Sequence, residues 1–284
     1  MSSPCGTFNV KYDTEMAVVR TRSQWSFLTL GIALCFVLPF IPAIGNSHIL
    51  HLIIYFMTYT IVALGLQIVL GYCGQISIGQ AAFMGVGAFA GAHVVTTLGW
   101  SFWAALPLAG IAAGTAGLIF GAAALRVKGL YLAVATLAAQ FIIYYFLVHF
   151  AGGDLILSVP TPTLGTFAFD TTIKTYYLIL PILIVITLLA KGITRTKVGR
   201  AFVAVRDNDM SAEAMGVPLF QYKLLAFFIA CFFAGIGGCL WCFYIGIASV
   251  DHYTLLDSIW FLGMIVIGGL GRISGTFFGV AFFI

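Results

Sequence analysis

The feature that most constrains this chain is a series of apolar runs, each about as long as a membrane-crossing helix. A helix needs about 20 apolar residues to cross the hydrocarbon core of a bilayer. The series predicts an all-α, polytopic membrane helix bundle of about eight to ten transmembrane helices, interrupted by glycine-broken segments. The runs cover residues 26–44, 48–70, 80–97, 102–125, 129–150, 176–190, 223–247 and 255–269, and a further run begins near 275 and reaches Ile284.

The composition of the chain also indicates that it lies in a lipid bilayer. Hydrophobic residues make up 62% of the chain and charged residues 8%, whereas soluble domains carry about 25% charged residues. A chain this apolar cannot cover itself with polar surface, so lipid is its expected environment. We expect one membrane domain, residues 26–284, after a polar N-terminal tail, residues 1–25. The run after the tail is longer than the core of a signal peptide, which predicts that it stays as an anchor.

Basic residues predict the orientation of the bundle, because cytoplasmic turns are enriched in Lys and Arg. When the spans are counted from a cytoplasmic N-terminus, all of the 13 basic residues except Lys174 fall on the cytoplasmic side. The only long cytoplasmic connection is then residues 191–223. The sequence therefore predicts a multi-pass protein whose N-terminus lies in the cytoplasm.

Residue types that several other functions need are missing. No Asp or Glu occurs between Glu15 and Asp154, which argues against an ion-coupled carrier, because such carriers use ionisable groups inside the membrane. No GxxxxGK[ST] loop, nucleophile–base pair or cluster of metal ligands is present, and no basic stripe indicates nucleic-acid binding. Cys239 and Cys242 have CxxC spacing but lie inside an apolar run, where cysteine packs as a small hydrophobe. We therefore expect no catalytic residue, no metal site and no cofactor in this chain.

One uncharged polar segment, "GYCGQISIGQA" (71–81), breaks the apolar pattern. Such backbone is tolerated at membrane depth only where it is buried in protein or lines a wet cavity. Its pattern of two glycines followed by Ile-Ser recurs at 268–274, and paired glycine-broken segments in two halves of a transporter indicate its path. The residues expected to line or frame that path are Gly71, Gly74, Gln75, Ser77, Gly79, Gln80, Gly268, Gly271 and Ser274.

Two alternatives remain open for these segments. Residues 71–81 either line a path, with their amides offered to a substrate, or form a helix-packing corner whose amides are satisfied internally. Span counting makes the two repeats parallel, whereas an inverted relation requires one span to be re-entrant.

The connection 191–223 has the marks of short helices. Phe202 and Val205 share one helix face, and "MSAEAM" consists of good helix formers. The residues that offer N-cap chemistry are Asp207, Asn208, Asp209 and Ser211. Gly216 can close a helix, and a proline follows as a stop. We expect one or two short helices that lie across the membrane face and meet another chain. The alternative is a solvated loop that only orients the protein.

Three motifs, in order along the chain, together resemble the permease subunits of branched-chain amino acid ABC transporters. "GYCGQISIGQAAFMGVGAF" (71–89) is similar to the N-terminal motif of that family, "RDNDMSAEAMGVPLFQYKLLAF" (206–227) to its coupling region, and "GGLGRISGTFFG" (268–279) to its C-terminal glycine motif. Gln80 departs from the family pattern, in which histidine is common at that position. The family's last helix and tail are missing after Ile284, which predicts an incomplete chain.

The resemblance implies a membrane subunit of an ATP-driven importer in a bacterial inner membrane. Its implied partners are a second homologous permease subunit, two cytoplasmic ATPase subunits that bind ATP and Mg²⁺, and an external solute-binding protein. The implied substrate is a small amino acid, first of all Leu, Ile or Val, with urea, short amides and aromatic acids as alternatives; the other class is an autonomous carrier or channel. The coupling region, about 198–218, would dock on the ATPase through Arg206, Asp207, Asn208, Ala212, Glu213, Ala214 and Gly216.

Overall fold

The computed structural model describes residues 36, 39, 47–124, 129–150, 156–164 and 167–284. The predicted N-terminal tail, most of the first predicted span, and the basic residues Arg126 and Lys128 lie outside these residues. The orientation predicted from charge therefore stays a prediction.

Helices dominate the described residues. A π-helical turn, Gln67–Tyr72, continues the first helix, and a 3-10 turn, Val250–His252, precedes the ninth. The α-helices are α1 (Ser47–Leu66), α2 (Gln80–Thr96), α3 (Phe102–Ala124), α4 (Leu130–Phe150), α5 (Thr172–Arg195), α6 (Lys197–Asp207), α7 (Asp209–Ala214), α8 (Leu219–Ile245), α9 (Leu255–Gly268) and α10 (Ile273–Phe283).

Six helical segments in the described ranges are long and apolar enough to cross a membrane, and α2 and α10 are shorter apolar helices. This confirms the predicted all-α membrane bundle, and every predicted span from 48–70 onward falls on one helix. With 17 residues, α2 is about 26 Å long and falls short of the hydrocarbon core of about 30 Å.

Close helix contacts hold the centre of the bundle together. Most of α1 and α8 is buried, and α8 packs against α1, α2 and α3. A Cβ on Gly235 would lie 2.6 Å from the carbonyl oxygen of Ala109, and one on Gly110 would lie 2.8 Å from the Phe232 ring. Helices in lipid associate through such close packing, which needs small residues at the contact. The glycines along α3 thus serve packing within this bundle.

Four short strands were not predicted. β1 (Ile156–Ser158) pairs antiparallel with β4 (Ile247–Ser249), and β2 (Thr163–Leu164) pairs with β3 (Phe167–Ala168). The first pair ties the segment after α4 to the end of α8. Strands of two or three residues are too short to leave an alternating pattern in the sequence.

Candidate functional site

The break after α1 begins with a widened helical turn. Gln67–Tyr72 form the π-helix, a form that occurs mostly as single turns and often at functional sites. The Gln75 N–H then donates to the Val69 carbonyl at 3.0 Å. Gly74 has a φ of +71°, a left-handed conformation that residues with a side chain rarely adopt. From Gly74 to residue 79 the chain has no helix.

After this turn the chain re-enters the bundle, and α2 starts deep inside it. Gln80, the first residue of α2, is 1% exposed. Its Nε2 donates to the carbonyls of Val62 in α1 and Ala230 in α8, at 3.3 and 3.2 Å. Both carbonyls belong to interior turns of long helices. The segment 73–79 thus connects the end of α1 to the bundle interior, and the Gln80 amide is satisfied by protein carbonyls, as the packing-corner alternative expects for this residue.

Side chains from α4 and α9 accept hydrogen bonds from the backbone N–H groups at the start of α2. The first N–H groups of a helix have no partner within it, and leaving such a donor unmet in a buried site costs roughly 1–3 kcal/mol. One of these side chains, Gln140 of α4, makes a second bond: its Nε2 donates to the Tyr253 carbonyl at 3.0 Å, in the segment just before α9. The accepting groups are Thr136 Oγ1 for the Ile78 N–H at 3.0 Å, Ser258 Oγ for the Ala81 N–H at 2.9 Å and Gln140 Oε1 for the Ala82 N–H at 2.9 Å.

The two glycine-broken segments meet in space. A Cβ on Gly71 would lie 2.6 Å from the backbone nitrogen of Gly271. The buried Gln67 side chain bridges the same two segments, because its Nε2 donates to the carbonyls of Gly269 and Arg272 at 3.0 and 3.1 Å. Segments that are about 200 residues apart in the sequence therefore form one contact.

The helices that lead into these segments run in the same direction. Tyr59 in α1 packs on Phe261 in α9 with ring centroids 4.9 Å apart. Further along both chains, Gly71 meets Gly271. Residue numbers therefore rise together along α1 and α9, so the two repeats have the parallel relation given by span counting.

Arg206 connects α6 to both glycine-broken segments. Its Nη1 donates to the Gly71 carbonyl at 2.9 Å, and its Nε donates to Asp207 at 3.0 Å. Its stem lies against the first break, since a Cβ on Gly74 would be 2.7 Å from Arg206 Cγ. A Cβ on Gly271 would be 3.1 Å from Arg206 Nη1. The guanidinium thus points into the bundle, and a displacement of α6 must either break its bond or move the Gly71 carbonyl.

A cavity of about 220 Å³ lies between the first break and the α6–α7 segment; we call it the inner cavity. Gln75 lines it and is 4% exposed, and neither its Oε1 nor its Nε2 has a hydrogen-bond partner among the described residues. Two ion pairs also line the cavity, Arg206 with Asp207 at 3.0 Å and Lys223 with Asp209 at 2.8 Å. The inner cavity is therefore lined by charges of both signs, whereas the amide atoms of Gln75 are buried behind its surface.

The other predicted path residues take different places. Ser77 is 2% exposed. Gly79 lies against α4, where a Cβ would be 2.9 Å from the carbonyl oxygen of Thr136. Gly268 packs against the backbone of α10, whereas Ser274 is exposed in the first turn of α10. The structure thus gathers the first segment, Gly271 and Arg206, but Ser274 does not line the inner cavity.

The α6–α7 segment has the predicted caps. Asn208 Oδ1 accepts from the N–H groups two and three residues further on, at 3.0 and 3.2 Å. At the other end of α7, the Val217 N–H donates to the Ala212 carbonyl at 3.0 Å and the Gly216 N–H donates to the Glu213 carbonyl at 2.9 Å. With φ of +84° at Gly216, this is the Schellman arrangement that ends a helix. Both short helices, the cap and the glycine stop are confirmed.

The surface of α7 is exposed, while α6 uses its apolar face for packing. Phe202 and Val205 are buried against the bundle, and so is Ala212 of α7. Met210 and Met215 are 81% and 87% exposed, which the sequence pattern does not predict. Methionine is common on surfaces that bind other proteins because it is flexible and polarisable. The exposed residues of the predicted docking set are Arg206, Asp207, Asn208, Glu213, Ala214 and Gly216.

Sequence reasoning also missed four buried polar side chains. Three of them lie among apolar neighbours, and such a position is a signal that the side chain has a partner in the bundle; the fourth, Ser258, directly follows Asp257 and gives no such signal. The sequence does not say which helix supplies that partner. In the part of the chain that the structure describes, no group of three His, Cys, Asp or Glu could hold a metal ion. The missed residues are Gln67, Thr136, Gln140 and Ser258.

Comparison with known proteins fits this arrangement. The family described as "Branched-chain amino acid transport system / permease component" matches residues 48–284. The "High-affinity branched-chain amino acid transport system permease protein LivM" of Escherichia coli (strain K12) is 30% identical over 278 residues, and that of Salmonella typhimurium (strain LT2) is 29% identical. Each match covers 88% of this chain but 65% of the relative's length. No solved structure matches the chain significantly. The family match and the paired glycine segments lead to one conclusion: this chain belongs to the family of branched-chain amino acid transport system permease components.

Proposed function

We propose that this chain is a membrane subunit of an ATP-driven importer of branched-chain amino acids. It works beside a second homologous permease subunit, two cytoplasmic ATPase subunits and an external solute-binding protein in a bacterial inner membrane. The observation that carries the proposal is the bond from Arg206 on α6 to the Gly71 carbonyl. This bond joins a segment on which a partner ATPase can act to the break that enters the membrane domain.

The energy for transport comes from the partner ATPases. This chain has no nucleotide-binding loop in its sequence, so ATP and Mg²⁺ bind to the ATPase subunits and this chain carries no cofactor. The names of its relatives describe a transport system for branched-chain amino acids, which supports Leu, Ile and Val as substrates.

The α7 helix is the part that docks on an ATPase subunit. Met210, Glu213 and Met215 stand out from it with large exposed fractions. A short capped helix with apolar anchors suits a groove on a partner protein. Arg206, on the inner side of the same segment, then carries the movement of α7 to the two glycine-broken segments.

Cavities at both ends of the bundle support a path between them. A cavity of about 450 Å³, the outer cavity, is lined by residues from α1, α8, the start of α5 and the segment before α5, among them His51, Asp170 and Tyr244. His51 and Tyr244 hydrogen-bond each other. In the predicted orientation this is the side on which the solute-binding protein delivers its ligand, and the inner cavity lies on the cytoplasmic side.

Reconstitution tests the proposal directly. Proteoliposomes that hold the complete importer should accumulate labelled L-leucine when ATP is inside and the loaded binding protein is outside. Omitting ATP or the ATPase subunits should abolish uptake. Liposomes that hold only this chain should neither take up L-leucine nor hydrolyse ATP.

The outcomes separate the candidate functions. Uptake by this chain alone would make it an autonomous carrier or channel and would overturn the proposal. ATP-dependent uptake of urea, a short amide or an aromatic acid, without uptake of Leu, Ile or Val, would replace the substrate class and keep the importer.

A further inference from the structure

We infer that Lys223 is a positioning residue for transport: its ion pair with Asp209 makes α7 and α8 move together, so that movement of α7 reaches the start of α2. The inference rests on the proposed function and deepens it, because it names a second connection between the docking helix and the membrane domain. The first connection, through Arg206, leads to the glycine-broken segments.

The ion pair joins the first residue of α7 to the beginning of α8. Lys223 Nζ lies 2.8 Å from Asp209 Oδ2, and the two side chains are 14% and 25% exposed. The neighbouring pair, Arg206 with Asp207, is more exposed, at 37% and 62%. Water and salt screen exposed charges more strongly than partly buried ones. The Lys223–Asp209 pair is therefore the less screened of the two, and its separation would leave two poorly solvated charges.

The surroundings of the pair give it control over the direction of α7. Only Ala212 of the six residues of α7 is buried, so few other side chains fix this helix against the bundle. Residues 215–218 connect α7 to α8, and the Val217 N–H donates back to the Ala212 carbonyl at 3.0 Å. The next helix is held separately, because Tyr222 of α8 packs edge-on against Phe202 of α6 with ring centroids 6.3 Å apart. The ion pair is thus the polar contact that ties α7 itself to α8.

From the ion pair, α8 leads to the start of α2. Ala230 lies about 10 Å further along α8 than Lys223, and its carbonyl accepts from Gln80 Nε2 at 3.2 Å. Arg206 holds the beginning of the first break through the Gly71 carbonyl. The docking segment is therefore connected to both ends of the first break, and a movement of α7 can act on the two ends together.

The ratio of uptake to ATP hydrolysis tests the inference. Lys223→Met keeps the apolar stem of the side chain and removes its charge. In the reconstituted importer we expect L-leucine uptake per ATP hydrolysed to fall several-fold, because α7 follows the ATPase while α8 no longer follows α7. A role in folding alone would lower the yield of the complex and leave this ratio unchanged. Lys223→Arg keeps the charge and should keep the ratio, and so should Lys197→Met, which removes an exposed lysine on α6.

A covalent bridge provides a second test. Asp209→Cys combined with Lys223→Cys, in an importer without its native cysteines, should have a ratio as low as that of Lys223→Met. A short bifunctional thiol reagent that joins the two cysteines should restore most of the ratio, because the bridge replaces the ion pair. The same reagent should restore nothing in either single-cysteine variant.

Each contrary outcome has a definite meaning. An unchanged ratio in Lys223→Met, or an equal fall in Lys197→Met, would overturn the role of the ion pair and leave the proposed function standing. A bridged complex that hydrolyses ATP without uptake would show that α7 and α8 separate during transport, which also overturns the inference. Absence of ATP-dependent uptake by the importer without these substitutions would instead overturn the proposed function, and the role of the ion pair with it.

Discussion

Arg206 makes a contact that the sequence pattern around it does not predict. Its position in the 206–216 motif predicts docking on a partner, but its guanidinium bonds the Gly71 carbonyl inside the bundle. Guanidinium presents five N–H donors in a fixed fork. It can therefore keep its bond to Asp207 through Nε while Nη1 reaches Gly71. We regard it as a positioning residue for the first break.

Replacing Arg206 should separate ATP hydrolysis from transport. A charged hydrogen bond contributes about 1.5–3 kcal/mol, which corresponds to about a tenfold or larger effect. In Arg206→Met we expect uptake to fall by at least about that factor, while the ATPase subunits stay bound and hydrolyse ATP at their basal rate. Lys197→Met is the control, because it removes the same charge from an exposed position on the same helix. Equal loss of uptake in both variants would mean that the loss comes from the missing positive charge and not from the broken bond to Gly71.

Position 71 requires glycine because another backbone approaches it closely, and not because of its own backbone conformation. A Cβ there would lie 2.6 Å from Gly271 N and 2.9 Å from Gln67 Cδ. Inserting atoms into a tight contact costs typically about 1–3 kcal/mol, so Gly71→Ala should lower the midpoint of thermal unfolding. In Gly192→Ala nothing lies within 4 Å of the added Cβ, and the midpoint should stay or rise because alanine favours helix. If the two variants unfold alike, the contact between the glycine-broken segments does not form.

Side chains from other helices hold the start of α2. Ser258 and Gln140 accept from N–H groups in its first turn, and Thr136 accepts from the Ile78 N–H just before it. The sequence could predict a broken helix at 71–81, because three glycines and uncharged polar residues interrupt an apolar pattern. It could not predict these partners, because a single polar residue in an apolar run gives no direction. For the same reason the sequence predicts that α6 is a helix but not that the Arg206 side chain bonds the Gly71 carbonyl.

The α7 helix makes a separate prediction about assembly. Met215 is 87% exposed and would lie in an apolar groove of the ATPase, where a carboxylate would be desolvated. Interface anchors cost about 2 kcal/mol or more when lost, so Met215→Glu should release the ATPase subunits during purification of the complex. Leu98→Glu introduces the same charge at an exposed turn between α2 and α3 and should leave assembly intact. If the Met215→Glu complex retains its ATPase subunits, α7 is not part of the docking surface.

In the whole molecule, the two parallel glycine-broken segments, α6 and the inner cavity form one connected unit. Arg206 contacts the first segment through Gly71 and Gly74 and the second through Gly271. Interfaces of this kind tend to have two discrete arrangements rather than to deform continuously. We therefore expect that movement at α7 changes the exposure of the first break.

State-dependent labelling of Ser77 tests this central claim most directly. Ser77 is 2% exposed, and reaction of a thiol needs water to form the thiolate. In the complete importer without its native cysteines, Ser77→Cys should be slow to react with a small water-soluble thiol reagent without nucleotide and fast during ATP turnover with loaded binding protein. Ile119→Cys, at a site that is 71% exposed on the apolar surface of α3, should remain inert in both states. If Ser77→Cys stays as inert as Ile119→Cys during turnover, the first break is static packing and the proposed path does not run through it.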